Sequence, residues 1–459
     1  MKTNRFTLTY LAAACMALCH VAGQALGASL DKDGLVLGGN AFNKEERVAF
    51  EDVLEKFNDQ LVLSRNISKY QTDQVMMERA NDTIWRPMPY IAQSHDGTDA
   101  TANFDDNTQL AVPATIGYSK HSTAILTATE LRDALQENRL GEAAAQKLAS
   151  DINLSVMTVA ALQGTVVVKR SAAASGFDDL AEAEARFNEE GVGAFDRYIA
   201  LSTRDYNGMA SNLAGRQTMT GKPVTAYEKA FVGHLANFDT YKLDYAVRQP
   251  AAAGGGGLTI NTLVAGANFY TPVATRTSAT GESGNVDNRY QTVTVSSTTG
   301  VVAGDAFTVA TLNAVHHITK GDTGRLKTFR VISVASATTM VISPPMITAQ
   351  GDTDAEIQYQ NCVINTAAAN SAIVFLNTVA ASVNPFWQKD AIEILPGRYA
   401  VPTDAGVQVM RSTVDQGLEV VMQKFYDINT MKTKYRWDVR WGVCMKQPEM
   451  AGIMLFSQT

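Results

Sequence analysis

The sequence predicts an α+β protein with a small antiparallel β-barrel inserted into it, and three stretches carry that prediction. Between Glu130 and Val168 there is no proline, and Leu140, Ala144, Leu148, Ile152, Val156, Val159 and Val166 recur at helical spacing. That stripe is the signature of a long helix with one buried face. Ahead of it, Trp85-Arg86-Pro87-Met88-Pro89 excludes helix, because alternate prolines remove donors and push the residues before them into extended shapes. Beyond the run Ala251–Gly257, residues 251–350 hold only ten charged side chains and are rich in Thr, Val, Ser and Ala. Short alternating runs with glycine turns in such a stretch indicate a barrel or sandwich.

The elements follow in order. From Asn43 to Asp73, Phe50, Val53, Leu54, Phe57 and Leu61 step by three and four with charges between them. This predicts an amphipathic arm that needs a partner surface. Residues 81–127 predict a long, polar, two-stranded flap, with turns at His95-Asp96-Gly97-Thr98-Asp99 and Phe104-Asp105-Asp106-Asn107. The rod after Glu130 has some 30 residues, which at ~1.5 Å each make roughly 45 Å. Phe177–Tyr245 mixes short helices, one of them Asp178–Asn188, with turns. Ala251–Gly257 reads as a flexible hinge by composition. Strands follow at Tyr290–Ser296, around Phe329–Val334 and at Thr339–Ser343, and mixed α/β character resumes near Ala367. The last stretch, Asn384 to Thr459, reads as strands and loops, and in it Trp437, Val439 and Trp441 alternate with Asp438 and Arg440.

The totals exclude several classes. A chain of 459 residues has room for two or three domains. Its formal net charge of -7 rules out nucleic-acid binding through the net field. Four scattered cysteines, Cys15, Cys19, Cys362 and Cys444, do not make a disulfide framework and read as small buried thiols. At the N-terminus, Lys2 and Arg5 precede an apolar run from Phe6 to about Ala22, and Ala-Leu-Gly-Ala ends at Ala28. That is the grammar of a secretory leader, although Thr7, Thr9 and His20 interrupt it. No other stretch approaches the ~20 apolar residues that span a bilayer.

Catalytic grammar is missing. There is no phosphate loop, no H-E-x-x-H, no C-x-x-C and no G-x-S-x-G. Gly254–Gly257 lacks the Lys and the strand-to-helix context of a phosphate cradle. His316-His317 could ligate a metal, but neighbours on a strand point to opposite faces. Asp96, Asp99, Asp105 and Asp106 offer oxygens for calcium without the spacing of a calcium loop, and read as a solvated tip. No cofactor, metal or catalytic residue is expected, and the chain is not expected to be an enzyme.

Four segments carry a family resemblance. Asn81-Asp-Thr-Ile-Trp-Arg-Pro-Met, Glu130-Leu-Arg-Asp with Ala144-Ala-Gln-Lys-Leu-Ala-Ser-Asp-Ile-Asn, Asn285-Val-Asp-Asn-Arg-Tyr-Gln-Thr-Val-Thr-Val-Ser-Ser-Thr-Thr-Gly with Gly304-Asp, and Asn384-Pro-Phe-Trp-Gln-Lys-Asp-Ala-Ile together resemble the coat proteins of short-tailed phages of the Salmonella transducing-phage type. The resemblance covers about Asn43 to the C-terminus; the first ~40 residues depart from it. It implies the Hong Kong-type major capsid fold, with N-arm, E-loop, long spine helix, P-domain and A-domain, plus an inserted β-barrel I-domain. The implied division is N-arm 1–80 (1–28 leader-like), E-loop 81–127, spine helix and P-domain 128–173, first part of the A-domain 174–250, I-domain 251–380 and a return segment 381–459.

The implied function is a major capsid protein that self-assembles, as pentamers and hexamers, into the icosahedral head around double-stranded DNA. The implied partners are a scaffolding protein, a portal protein, a candidate decoration protein and packaged DNA held without sequence-specific contact. No membrane is implied; assembly takes place in the bacterial cytoplasm and the product is the virion. A mildly acidic subunit suits a container that must not grip its DNA. Candidate inter-subunit contacts are Trp85 and Arg86, as anchors of the E-loop on a neighbour, and Arg276, Glu282 and Asp287 in a loop that the resemblance places across two-fold axes. The competing reading takes the leader at face value: a secreted or surface β-rich binding module with a helical stalk.

Overall fold

Helix α1, Lys44–Gln60, turns Phe50, Val53 and Phe57 to one side, where they are 3%, 4% and 1% exposed. That face closes on helix α2, Ala134–Gln163, the 30-residue rod. Lys56 pairs with Glu142 across this contact, and Glu46 pairs with Lys424 of the strand Glu419–Asp427. The arm was expected to need a partner surface, and its own chain supplies one. The structure is a computed structural model. It describes residues 44–459 apart from 71–82, 131–133, 215–231, 262–268, 366–369, 401–406 and positions 93, 96, 100, 102, 103, 105, 128, 129, 255, 256, 352 and 415. The leader-like segment, Cys15, Cys19, Asp96 and Asp105 lie outside the described residues.

Helix α1 ends thirteen residues before the predicted Asp73 (73 − 60), and side-chain chemistry gives the reason. Asn66 Nδ2 donates to the Val62 carbonyl, Ser64 Oγ donates to Gln416, and the Asn66 carbonyl accepts from Trp387 Nε1 at 3.1 Å. The first, a local bond, competes with the helical ladder, and the other two tie the turn to remote segments. The chain turns through Ser64–Asn66 and adds Ser68–Lys69 in parallel to Ile392–Pro396.

Helix α2 lies against a six-stranded sheet. Its strands run Ser68–Lys69, Ile392–Pro396, Lys432–Met445, Glu419–Asp427 and Gln408–Thr413, with Tyr118–Thr127 paired along Lys432–Trp441. Leu148, Ile152, Val156 and Ala160 of α2 meet Trp437, Val439 and Trp441 in one core. Trp441 Nε1 donates to Ser155 Oγ at 2.9 Å, so its buried indole is satisfied. Asp438 is 2% exposed, and Arg436 pairs with it at 2.8 Å. The strand is covered on both faces, which simple alternation does not reveal.

A second six-stranded sheet follows the order Val166–Lys169, Ala451–Leu455, Asn384–Gln388, Arg197–Ser202, Phe238–Leu243 and His234–Leu235. Helices α3 (Phe177–Glu190) and α4 (Thr203–Ala214) cover it, with Leu180, Phe187, Tyr206 and Met209 packed on Phe238 and Phe386. Helix α3 ends where Gly191 takes φ +79°, and the His316 ring lies so close that a Cβ there would meet it at 2.7 Å.

The third sheet has seven strands: Thr259–Asn261, Asn370–Phe375, Ala306–Val315, Asp322–Val334, Thr339–Ser343 and Gln291–Thr294, with Cys362–Ile364 on Ala306–Val315. A bridge from Ile260 to Val295, with the Ser296 amide donating to the Thr259 carbonyl, joins the two ends into a closed barrel. Closure removes the free edges. Val293, Phe307, Val309, Phe329, Val331 and Ile342 fill its interior. The expected hinge is partly tied down: the Ala252 amide donates to the Asn377 carbonyl, and Phe375 leaves no room for a side chain at Gly254.

Candidate assembly surfaces

The flap is a two-stranded ribbon, Thr83–Pro87 paired with Ala111–Thr115 in the register Trp85↔Pro113 and Arg86↔Val112. A lone two-stranded ribbon is marginal in water, and this one is packed along its length. Ile84, Met88, Leu110, Val112 and Ala114 share a core with Ile347, Tyr359, Leu395 and Cys444. At its base, the Arg86 guanidinium bonds both oxygens of Glu393, at 2.9 and 3.0 Å, and lies 3.9 Å over the Tyr70 ring. Glu393 is buried, and its hydrogen bonds outweigh burial in holding the Arg86 pKa above its ordinary value. Arg86 is thus engaged inside its own chain. Trp85, its neighbour on the opposite face, is half-buried.

Arg276 and Glu282 sit on a second hairpin, Thr275–Thr277 against Ser283–Asn285, whose side chains are all exposed. Gly281 at φ +90° makes the turn, and the Ser278 amide donates to the Glu282 carbonyl at 2.8 Å. Neither Arg276 nor Glu282 has an ion pair among the described residues. Asp287 differs. Arg289 grips both of its oxygens, at 2.9 and 2.7 Å, and Asp287 is bridged to Ala111 of the flap. Arg276 and Glu282 thus share the exposed hairpin, while Asp287, partly exposed at its foot, is paired with Arg289.

A third feature was not visible in the sequence reading. Where the barrel meets the body, Lys327 is 1% exposed and sits 2.7 Å from Glu190 at the end of α3 and 2.8 Å from Glu449 near the C-terminus. His317 Nε2 lies 3.7 Å from Glu449. Burial alone would push the Glu449 carboxyl up, but Lys327 and His317 outweigh it and hold it below the usual range. Burial draws the Lys327 ammonium down, and the two carboxylates more than offset this and raise it. Burial is the largest influence on His317 and lowers its pKa. On the rim, Arg325 pairs with Glu182 and Glu189 at 3.0 Å each. The available signal was phase: Lys327 shares the alternation of Phe329 and Val331, and a lysine in that register needs a buried partner.

The remaining candidates stay apart. His316 Nδ1 accepts from the Ile318 and Thr319 amides, whereas His317 faces Glu449, so the pair shares no ligand position. Asp99 is bonded by Thr101, and the Asp106 amide donates to Asp354. Cys362 and Cys444 are buried free thiols. Among the described residues no group of acids, histidines and cysteines could hold a metal, and no helix is long and apolar enough to cross a membrane.

The family model described as P22 coat protein, gene protein 5, matches residues 40–457. Among solved structures, one from Mycobacterium phage Che8 is 10% identical, with 86% of this chain and 90% of that chain covered and a TM-score of 0.40. The capsid structure of cyanophage P-SCSP1u is 11% identical, with 86% of each chain covered and a TM-score of 0.38. The CUS-3 coat protein I-domain is 34% identical over 27% of this chain and 99% of its own, with a TM-score of 0.20. These TM-scores are low, and the assignment rests on the family match.

Proposed function

The chain belongs to the P22 coat protein family, and from that membership we propose how the subunit builds a shell. It is a phage coat protein, the major capsid subunit of an icosahedral head, with the Hong Kong-type fold and an inserted I-domain. The observation that carries this is the match over residues 40–457, nearly the whole chain. The secreted binding module is set aside on the same ground.

The subunit works by association rather than by catalysis. Obligate interfaces bury on the order of 2,000–5,000 Å², and contacts that are weak singly become strong when a closed shell repeats them. The flap, 81–127, reaches a neighbour as the E-loop. Trp85 is its anchor, since Arg86 is spent on Glu393 within the subunit. The hairpin bearing Arg276 and Glu282 meets a copy of itself across a two-fold axis, where each arginine faces the other copy's acid. An isologous contact needs one self-complementary patch, and this hairpin offers both signs on exposed side chains. The barrel, within 251–380, is the I-domain; the long helix is the spine, 128–173; segments 174–250 and 381–459 complete the A- and P-domains.

A scaffolding protein, a portal and a decoration protein are the expected further partners. Assembly takes place in the host cytoplasm, and the net charge of -7 lets the shell hold DNA without gripping it. Negative-stain microscopy of the full chain, expressed alone and with its phage's other head proteins, tests the reading. Shells, or rings of five and six, are expected. A chain that stays monomeric in both settings would end it.

A further inference from the structure

We propose that the inserted barrel positions the flap: the segment leaving strand Thr339–Ser343 forms a shelf that sets, within one subunit, the angle at which the flap projects before any neighbour is met. The inference rests on reading the flap as a contact to a neighbour, and it adds the residues that aim it.

The shelf is helix α5, Asp354–Tyr359, together with Ile347 before it. Three of its side chains grip the returning arm of the flap through backbone. The Asp106 amide donates to Asp354 Oδ2 at 2.9 Å, the Thr108 amide to Gln358 Oε1 at 3.2 Å, and Tyr359 Oη donates to the Thr108 carbonyl at 2.9 Å. Gln358 is 2% and Tyr359 8% exposed, so two of the three bonds are shielded from water. Ile347 and Tyr359 add apolar contact to Met88 and Leu110.

The flap is held at its base as well, by the Arg86–Glu393 fork. The Asp287–Ala111 bridge ties its second strand to the foot of the exposed hairpin. A ribbon gripped at one end can pivot. A ribbon held on both arms, at Arg86 and at Ala111, and again further out at Asp106 and Thr108 cannot, and its ordering entropy is spent before assembly. The far-end grips all come from the insertion, whose core is otherwise its own. Gln358 and Tyr359 are positioning residues: they act on the neighbour contact through the flap.

The test is the full-length double variant Gln358→Ala with Tyr359→Phe, followed by hydrogen exchange, thermal unfolding and assembly. Removing two hydrogen bonds is expected to lower protection of amides in 106–112 by about tenfold, with the barrel's own amides unchanged. Assembly is expected to slow or to give irregular shells while the subunit stays folded. Restoring Gln358 alone should recover part of the protection. Unchanged protection overturns the proposal, and so does a loosened flap with normal assembly.

A second arm needs no weakened bond. A Thr108→Cys, Gln358→Cys pair joined by a disulfide within one subunit should still assemble; assembly only after reduction means the flap must leave the shelf, and the proposal fails. Trp85→Ala separates the two readings. If it leaves shells intact, the neighbour contact at Trp85 is wrong, while the exchange data still decide whether the barrel aims the flap.

Discussion

Replacing Lys327 with methionine should destabilise the subunit more than any surface change. Its ammonium sits 2.7 and 2.8 Å from two carboxylates whose side chains are 5% and 8% exposed. Methionine keeps most of the stem's packing and removes only the charge. Glu190 and Glu449 are then left close together without the cation between them. Breaking a buried pair in this way costs ~3–5 kcal/mol. The loss should depend on pH, and its sign follows from the acids. In the native protein Glu449 is held below its ordinary value of 4.5. Its contribution is therefore complete above that value and is lost as pH falls through the lower folded one. Without Lys327, burial and the neighbouring carboxylate raise Glu449 instead, so the variant takes up a proton on folding. Its deficit should shrink from pH 8 toward pH 5. Urea unfolding of the unassembled subunit, followed by tryptophan fluorescence at pH 5, 6.5 and 8, measures this. The triple change Lys327→Met, Glu190→Gln, Glu449→Gln should regain most of the loss. A deficit under about 1 kcal/mol at pH 8, or one that ignores pH, would refute the argument that the barrel docks through a buried charge cluster.

Three further predictions are independent of that one. Arg86→Ala should cost ~2–3 kcal/mol in thermal unfolding, because it strands buried Glu393, and Arg86→Lys should recover only part of this, since an ammonium cannot form the fork. Reversing Arg276 and Glu282 singly should abolish shells and leave subunit stability within about 0.5 kcal/mol, while the double reversal restores assembly; shells from both single variants would remove the two-fold role. Burial lowers Lys320 to about 8, so between that pH and 10.5 the unfolded chain binds the extra proton. The Lys320 contribution to subunit stability should rise with pH across that window, so the gap between the unfolding midpoints of the unchanged protein and Lys320→Met should shift in favour of the unchanged protein as pH rises from about 8 to 10.5.

What the sequence determined was local and periodic. The stripe from Leu140 to Val159 marked α2, the prolines around Trp85 marked the flap, and sparse charge with alternation marked the barrel. Each signal depends on residues within a few positions of one another, so one strand of text is enough to read it. The four family segments are of the same kind and carried the family reading.

What only the tertiary structure decided was pairing between distant segments. Nothing near Lys327 announces Glu190 or Glu449, which stand 137 residues before it (327 − 190) and 122 after it (449 − 327). Arg86 reads as a free anchor until Glu393 arrives from the far side of the barrel. Asp287 looks like part of an exposed loop until the remote flap strand pairs with it at Ala111. The arm looks unpartnered until α2 covers it. The physical reason is common to all four. A charged or amphipathic residue is legible as a type in the sequence, but whether it meets solvent, a neighbour or its own chain depends on which remote segment the fold brings within about 3 Å, the reach of a hydrogen bond.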